Sequence, residues 1–210
     1  HPAVTPYLLS VCRELVDRYA VDGLHLDYIR FPGPAFSYDI ASVGRFRIQH
    51  GVGPEQNHAD WYAFRRQAIS DLLVQLRQML RLNHPQMILT ASVLGDYDEG
   101  YRVYLQDSHE WLAADLVDAI FPMIYTPDNL RFRRLLADHR LNDHRRHVFA
   151  GIYIKNADRL ERQLQIAQEL GCQGVALFSY ELLYPNHVML DRFREILQDQ
   201  WPSESQPAPM

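Results

Sequence analysis

The sequence predicts an α/β fold, a parallel sheet covered by helices. It is laid out either as a doubly wound open sheet or as part of a (β/α)8 barrel. Three observations carry this. Helical and strand patterns alternate along the chain in the order αβαβαβαβαβα. The strand segments are near-continuous apolar runs, such as VDAIFPMIY at 117–125 and GVALFSY at 174–180, as expected of strands covered on both faces. The length of 210 residues suits one good core and is too great for a disulfide-stapled mini-domain. Neither GxGxxG nor GxxxxGK(S/T) follows any strand, which weakens a nucleotide-binding reading.

The elements follow in order. Residues 5–20 read as an amphipathic helix, with Leu8, Val11, Cys12, Leu15, Val16 and Tyr19 at spacings of three and four, and Thr5-Pro6 at its start. Leu24–Tyr28 is a short strand that reads as buried. Residues 33–57 are a long loop rich in Gly, Pro, Ser and aromatics, with a short helix about Ile40–His50; a loop of that length is often functional. A long helix covers about Ala59–Leu82, capped by Asn57 or Asp60, with Trp61, Phe64, Ala68, Leu72, Leu76 and Met79 on one face. Met87–Val93 is the second strand and 94–100 a polar loop. A short helix falls within 103–114, and Val117–Tyr125 is the third strand. A helix near Leu130–Arg140, a strand at His147–Ile154 and a helix at Ala157–Leu170 stopped by Gly171 come next. Gly174–Tyr180 is the fifth strand, and a last helix runs near His187–Gln200. Residues 1–200 form one domain on this reading, and 201–210 (WPSESQPAPM) a disordered tail.

Composition narrows the function. A net charge of −5 with scattered basic residues gives no electrostatic case for nucleic acid. RFRR at 131–134 and HRRH at 144–147 read as solvated surface. No apolar run reaches the ~18–20 residues that span a bilayer. Cys12 and Cys172 lack metal spacing and read as small buried residues. The chain begins with His1 rather than Met, as a processed form or a piece of a longer protein would, so any targeting segment would lie upstream.

Polar residues gather just past the strand ends, where parallel α/β folds place their ligands. The five strands lead in turn to Asp27, Tyr28 and Arg30; to Ser92, Asp96, Asp98 and Glu99; to Tyr125, Thr126 and Asp128; to Tyr153, Lys155 and Asn156; and to Ser179, Tyr180 and Glu181. Carboxylates, tyrosines, amides and cations of this kind suit sugar hydroxyls. His25 and Asp27 are two apart on a strand and share a face. A buried His25 beneath the carboxylate would orient it by a hydrogen bond, and Arg30 would pair with Asp27 or grip a substrate oxygen. His25 and Asp27 together supply only two metal ligands, and no other histidine ends a strand, so neither a metal nor another cofactor is expected.

VDGLHLDYIRFP at 21–32, DWYAFRRQAI at 60–69, QDSHEWLAADLVDAIFPMIYTPDN at 106–129 and GVALFSYE at 174–181 resemble, in order, blocks of the glycosyl-hydrolase-like 10 family. These are bacterial (β/α)8 proteins marked by a DG(I/L)HxDYIR(F/Y)P segment. The resemblance implies a TIM barrel of which this chain supplies about five strands, equivalent to strands four to eight. A full barrel takes about 250 residues. It also implies a catalytic carboxylate at Asp27 and an exported or cell-envelope location. The first block is similar to the DGxDxDxE strand of family-18 chitinases as well, but His25 replaces an Asp and Ile29 replaces the acidic Glu. That departure argues against a chitinase mechanism carried by this strand alone.

The expected activity is hydrolysis of O-glycosidic bonds in a polysaccharide by a carboxylate pair, about 5–5.5 Å apart for retention or about 6.5–9.5 Å for inversion. Asp27 leads, with Asp96 or Glu181 as partner. His25, Tyr28, Arg30, Tyr125, Asp128, Tyr153 and Tyr180 are the expected substrate contacts, the tyrosines because each offers a ring face and a hydroxyl. Trp61 and Trp111 are expected to pack. The alternative is a barrel that binds carbohydrate without cleaving it. An open piece of barrel would expose strand edges and an apolar face, so self-association or inactivity of this chain alone is expected.

Overall fold

The computed structural model describes residues 2–139, 148–172 and 174–200, apart from the side chain of His187. HRRH at 144–147, the start of the expected fourth strand and the expected tail at 201–210 lie outside the described residues. Five parallel strands run in the order β1-β2-β3-β4-β5. Sequential order without reversal is that of a (β/α) barrel and not of a doubly wound sheet. The chain is therefore α/β, of the partial (β/α)8 type. It divides into two compact units, His1–Phe121 and Pro122–Met210.

The first unit holds α1 (Val4–Arg18), β1 (Gly23–Leu26), α2 (Ile40–His50), α3 (His58–Asn83), β2 (Ile88–Leu94), α4 (Tyr97–Arg102), α5 (Ser108–Ala113) and the start of β3 (Ala119–Met123). The caps explain the boundaries. Asp39 accepts from Ser42 N at 3.0 Å to start α2, and Gly51, at φ +73°, closes it. Asn57 caps α3 by accepting from Asp60 N at 3.2 Å. Residues 94–100 are not wholly loop: Asp96 accepts from Glu99 N at 3.2 Å and nucleates α4. The core forms where the apolar face of α3 (Trp61, Leu73, Leu76, Leu80) is buried along with Leu89, Ala91 and Val93 of β2. Trp61 and Trp111 are fully buried, as expected of packing residues. β1 lies parallel to β2 with His25 opposite Thr90; a Cβ on Gly23 would meet Ile88 O at 2.6 Å, so only glycine fits there.

Two expectations change here. β1 is half-exposed along its length, with His25 its most open residue, because it ends the strand order and has a neighbour on one side only. It also stops at Leu26, since Tyr28 adopts φ +59° and cannot continue a strand. On α1 only Val16 is buried; Leu8, Val11 and Leu15 are 38–43% exposed.

The second unit contains the rest of β3, α6 (Asn129–Asp138), β4 (Ala150–Tyr153), α7 (Ala157–Glu169), β5 (Val175–Phe178), α8 (Tyr180–Leu183), a 3₁₀ turn at Pro185–His187, and α9 (Asp191–Gln200). Its core joins Phe132, Leu135 and Leu136 of α6 to Ala150 and Ile152 of β4, Leu160, Leu164 and Ala167 of α7, and Phe193 and Ile196 of α9. β4 pairs with β5, Tyr153 opposite Phe178. The last helix, expected from about His187, begins only at Asp191, because Val188 is extended at φ −117°, ψ 124°.

Candidate functional site

In the first unit the residues past β1 and β2 form a polar cluster. His25 belongs to β1 and its ring bonds to side chains of β2. Its Nδ1 lies 2.8 Å from Thr90 Oγ1 and its Nε2 2.8 Å from Ser92 Oγ, and its ring meets Phe121 edge-on at 5.1 Å. Both ring nitrogens are therefore engaged by β2 hydroxyls. This corrects the expectation that His25 holds Asp27 by a hydrogen bond; the register, which sets His25 opposite Thr90, decides it. Desolvation lowers the His25 pKa below its usual value, opposed by the nearby Asp27 carboxylate, so the neutral ring is favoured.

Asp27 lies just past the strand, and its Oδ1 accepts from Tyr28 N at 2.8 Å. That bond accompanies the left-handed backbone of Tyr28, a conformation costly for a non-glycine residue. The turn then places the Arg30 guanidinium 4.3 Å from the Tyr28 ring centroid and 5.6 Å from that of Tyr104. Arg30 makes no ion pair with Asp27; its Nε and Nη1 are buried and have no hydrogen-bond partner among the described residues. The opposite expectation, of an Arg30–Asp27 pair, fails because Arg30 is drawn onto the two tyrosine rings.

Two buried side chains that the sequence reading did not single out fix this turn. Gln106 is 1% exposed. Its Nε2 donates to Ile29 O (3.1 Å) and Ser92 O (3.3 Å), and its Oε1 accepts from Leu94 N (2.9 Å), tying the chain after β1 to β2. Arg65 of α3 donates from Nη1 to Pro34 O and Phe36 O, each at 2.8 Å, and lies among the rings of Phe31, Tyr38, Trp61 and Tyr62. It fastens the long loop after β1. Asp96 is half-buried, with its Oδ1 occupied as the α4 cap.

In the second unit the structure brings Tyr125 and Tyr153 together, ring centroids 6.1 Å apart, with Phe178 stacked on Tyr125 at 5.4 Å. They open onto a pocket of about 480 Å³ that also includes Thr126, Pro127, Lys155, Asn156 and Arg159. Asp128 instead caps α6, its Oδ1 accepting from Leu130 N and Arg131 N. Tyr180 stacks on Tyr184 at 4.7 Å, and Glu181 is exposed, 3.5 Å from Ser179 Oγ.

Residues 1–160 match the model of one family, described as glycosyl hydrolase-like 10. The chain belongs to the glycosyl hydrolase-like 10 family. The match takes in the whole first-unit cluster and Tyr125, Asp128, Tyr153, Lys155, Asn156 and Arg159. Tyr180, Glu181 and the GVALFSYE block lie beyond it. No curated protein matches this glycosyl hydrolase-like 10 chain. Among its described residues no helix is long and apolar enough to cross a membrane.

The signals that were available for the missed residues differ. Thr90, with the already noted Ser92, alternates with buried Leu89, Ala91 and Val93, a period-two pattern that marks one polar face of β2. Gln106 and Arg65 carried no such signal, since a lone polar residue beside a helix start or within an apolar helix reads as surface.

Proposed function

We propose that this chain carries the working face of a glycoside hydrolase acting on O-glycosidic bonds in a polysaccharide, with Asp27 as the lead catalytic carboxylate. One observation carries the reading: in a glycosyl hydrolase-like chain, Asp27 follows the end of a parallel strand, near a neutral-leaning histidine that two β2 hydroxyls hold. Strand C-terminal ends are where barrel enzymes do chemistry. Asp27 accepts a backbone N–H through one oxygen, which orients the carboxylate as a nucleophile or base must be oriented. Arg30 is a candidate to hold a sugar oxygen, because its Nε and Nη1, buried as the side chain now stands, have no hydrogen-bond partner among the described residues. Asp96 and Glu181 are the partners to separate by mutation. Asp96 has one oxygen committed to a helix cap and Glu181 is open to solvent.

A second reading, a glycan-binding module without turnover, draws on Ile29 standing where a chitinase-type strand has its acid. Reducing-sugar release from a panel of polysaccharides separates the two, comparing the wild type with Asp27→Asn. Release that disappears in the variant supports the hydrolase. Glycan binding without release in either protein replaces it with the binding module.

A further inference from the structure

The pocket of the second unit differs in chemistry from a neutral sugar site. Seven residues line it, and none is acidic, although the chain as a whole carries a net charge of −5. Two are cations, Lys155 just past β4 and Arg159 in the first turn of α7. Neither is paired with a carboxylate among the described residues. In the same unit Arg133, Arg162, Arg192 and Arg194 each hold an aspartate or glutamate. A half-buried guanidinium beside an ammonium, with no counter-charge, leaves a site whose missing component is an anion.

The other lining groups define what carries that anion. Tyr125 and Tyr153 present a tilted pair of rings backed by Phe178, a surface for the C–H face of a pyranose. Asn156 Oδ1 accepts from Arg159 N at 2.9 Å, which leaves its side-chain amide N–H2 as a donor. One carbonyl of the wall, Thr126 O, is already occupied, accepting from Gln163 Nε2 at 2.9 Å. The pocket therefore supplies ring faces and donors, and asks for acceptors with negative charge.

We propose that this pocket is a subsite for an acidic sugar, a pyranose bearing a carboxylate, with Lys155 and Arg159 gripping the carboxylate and Tyr125 and Tyr153 carrying the ring. This rests on the glycan-acting reading and narrows its substrate class. Neutral glucans and xylans are poor ligands on this view.

Isothermal titration of the full chain tests it. The probes are tetramers of galacturonate, of mannuronate and of the glucuronate–N-acetylglucosamine repeat, each beside its carboxyl-reduced neutral twin. At least one acidic tetramer is expected to bind about tenfold or more tighter than its twin, the ratio that a single charge-assisted hydrogen bond produces. Lys155→Met and Arg159→Met are expected to remove that preference, and added salt to weaken it. Lys155 is exposed and holds no hydrogen bond or ion pair among the described residues, so its variant is expected to fold even if the Arg159 variant does not. Equal binding of acidic and neutral twins, or a preference untouched by Lys155→Met, overturns the acidic subsite and leaves the glycan reading standing. No binding to any tetramer, together with no binding to or cleavage of neutral polysaccharides, overturns both.

Discussion

Replacing Arg65 with methionine removes a guanidinium that is 1% exposed and leaves the apolar volume roughly filled. Two carbonyls, Pro34 O and Phe36 O, lose their 2.8 Å donors. An orphaned buried acceptor costs about 1–3 kcal/mol, so the pair costs about 2–6 kcal/mol if the loop stays in place. The rings add attraction: Tyr62 at 4.6 Å and Trp61 at 5.3 Å give about 0.5–2 kcal/mol together. Against this, Nε and Nη2 of Arg65 are buried with no hydrogen-bond partner among the described residues, a penalty that the substitution relieves. The loop can also peel into water, which caps the loss. The expected net destabilisation is about 2–4 kcal/mol, which at an m-value of about 2 kcal/mol/M is a fall of about 1–2 M in the urea midpoint. Amide exchange over residues 33–39 is expected to speed up in the same variant. Arg65→Lys retains the charge but not the fork, and falls between. A loss below about 0.5 kcal/mol, with unchanged exchange in the loop, would refute the argument that Arg65 fastens it.

Two further outcomes follow from the same geometry. Because the folded pKa of His25 lies below the unfolded value of 6.5, the unfolded chain takes up the extra proton as pH falls. The stability tied to the neutral ring is thus complete above pH 6.5 and is lost as pH drops through the folded pKa. The urea midpoint of wild type minus that of His25→Asn is expected to shrink between about pH 7.5 and 5; a pH-independent difference sinks the claim. On α1, Val4, Leu8, Val11 and Leu15 form one stripe, 38–50% exposed, and β1 ends the strand order. Light scattering after gel filtration is expected to show concentration-dependent self-association that Val11→Glu with Leu15→Glu abolishes; a wild-type monomer at all concentrations disproves it.

Local signals carried much of this fold. Asp39 and Gly51 bracket α2 so clearly that its limits are legible to the residue, while the start of α3 was legible to within a residue, with Asn57 and Asp60 both open as its cap. Even α4 had a readable mark, the Asp96-x-x-Glu99 spacing of a capping box. What escaped depends on partners far along the chain. Periodicity says which side of α1 is apolar but not whether anything covers it. A histidine in an apolar run says that a polar group is needed, yet only the parallel register supplies Thr90 and Ser92, 65 and 67 residues away. Tyr28 hides its left-handed backbone because nothing about a tyrosine announces it.

The same distinction orders the candidate site. Asp27, Arg30, Tyr125 and Tyr153 were readable because each follows a strand end, and strand ends are local features. Their roles are not local. Arg30 could equally have been the counter-ion of Asp27, and only the turn that tips it onto Tyr28 and Tyr104 leaves its donors unspent. Lys155 and Arg159 acquire meaning in the same way: not from being basic, but from facing two tyrosine rings in a pocket without an acid. A cation with a carboxylate beside it is structure; a cation held in place without one is the residue that a ligand completes.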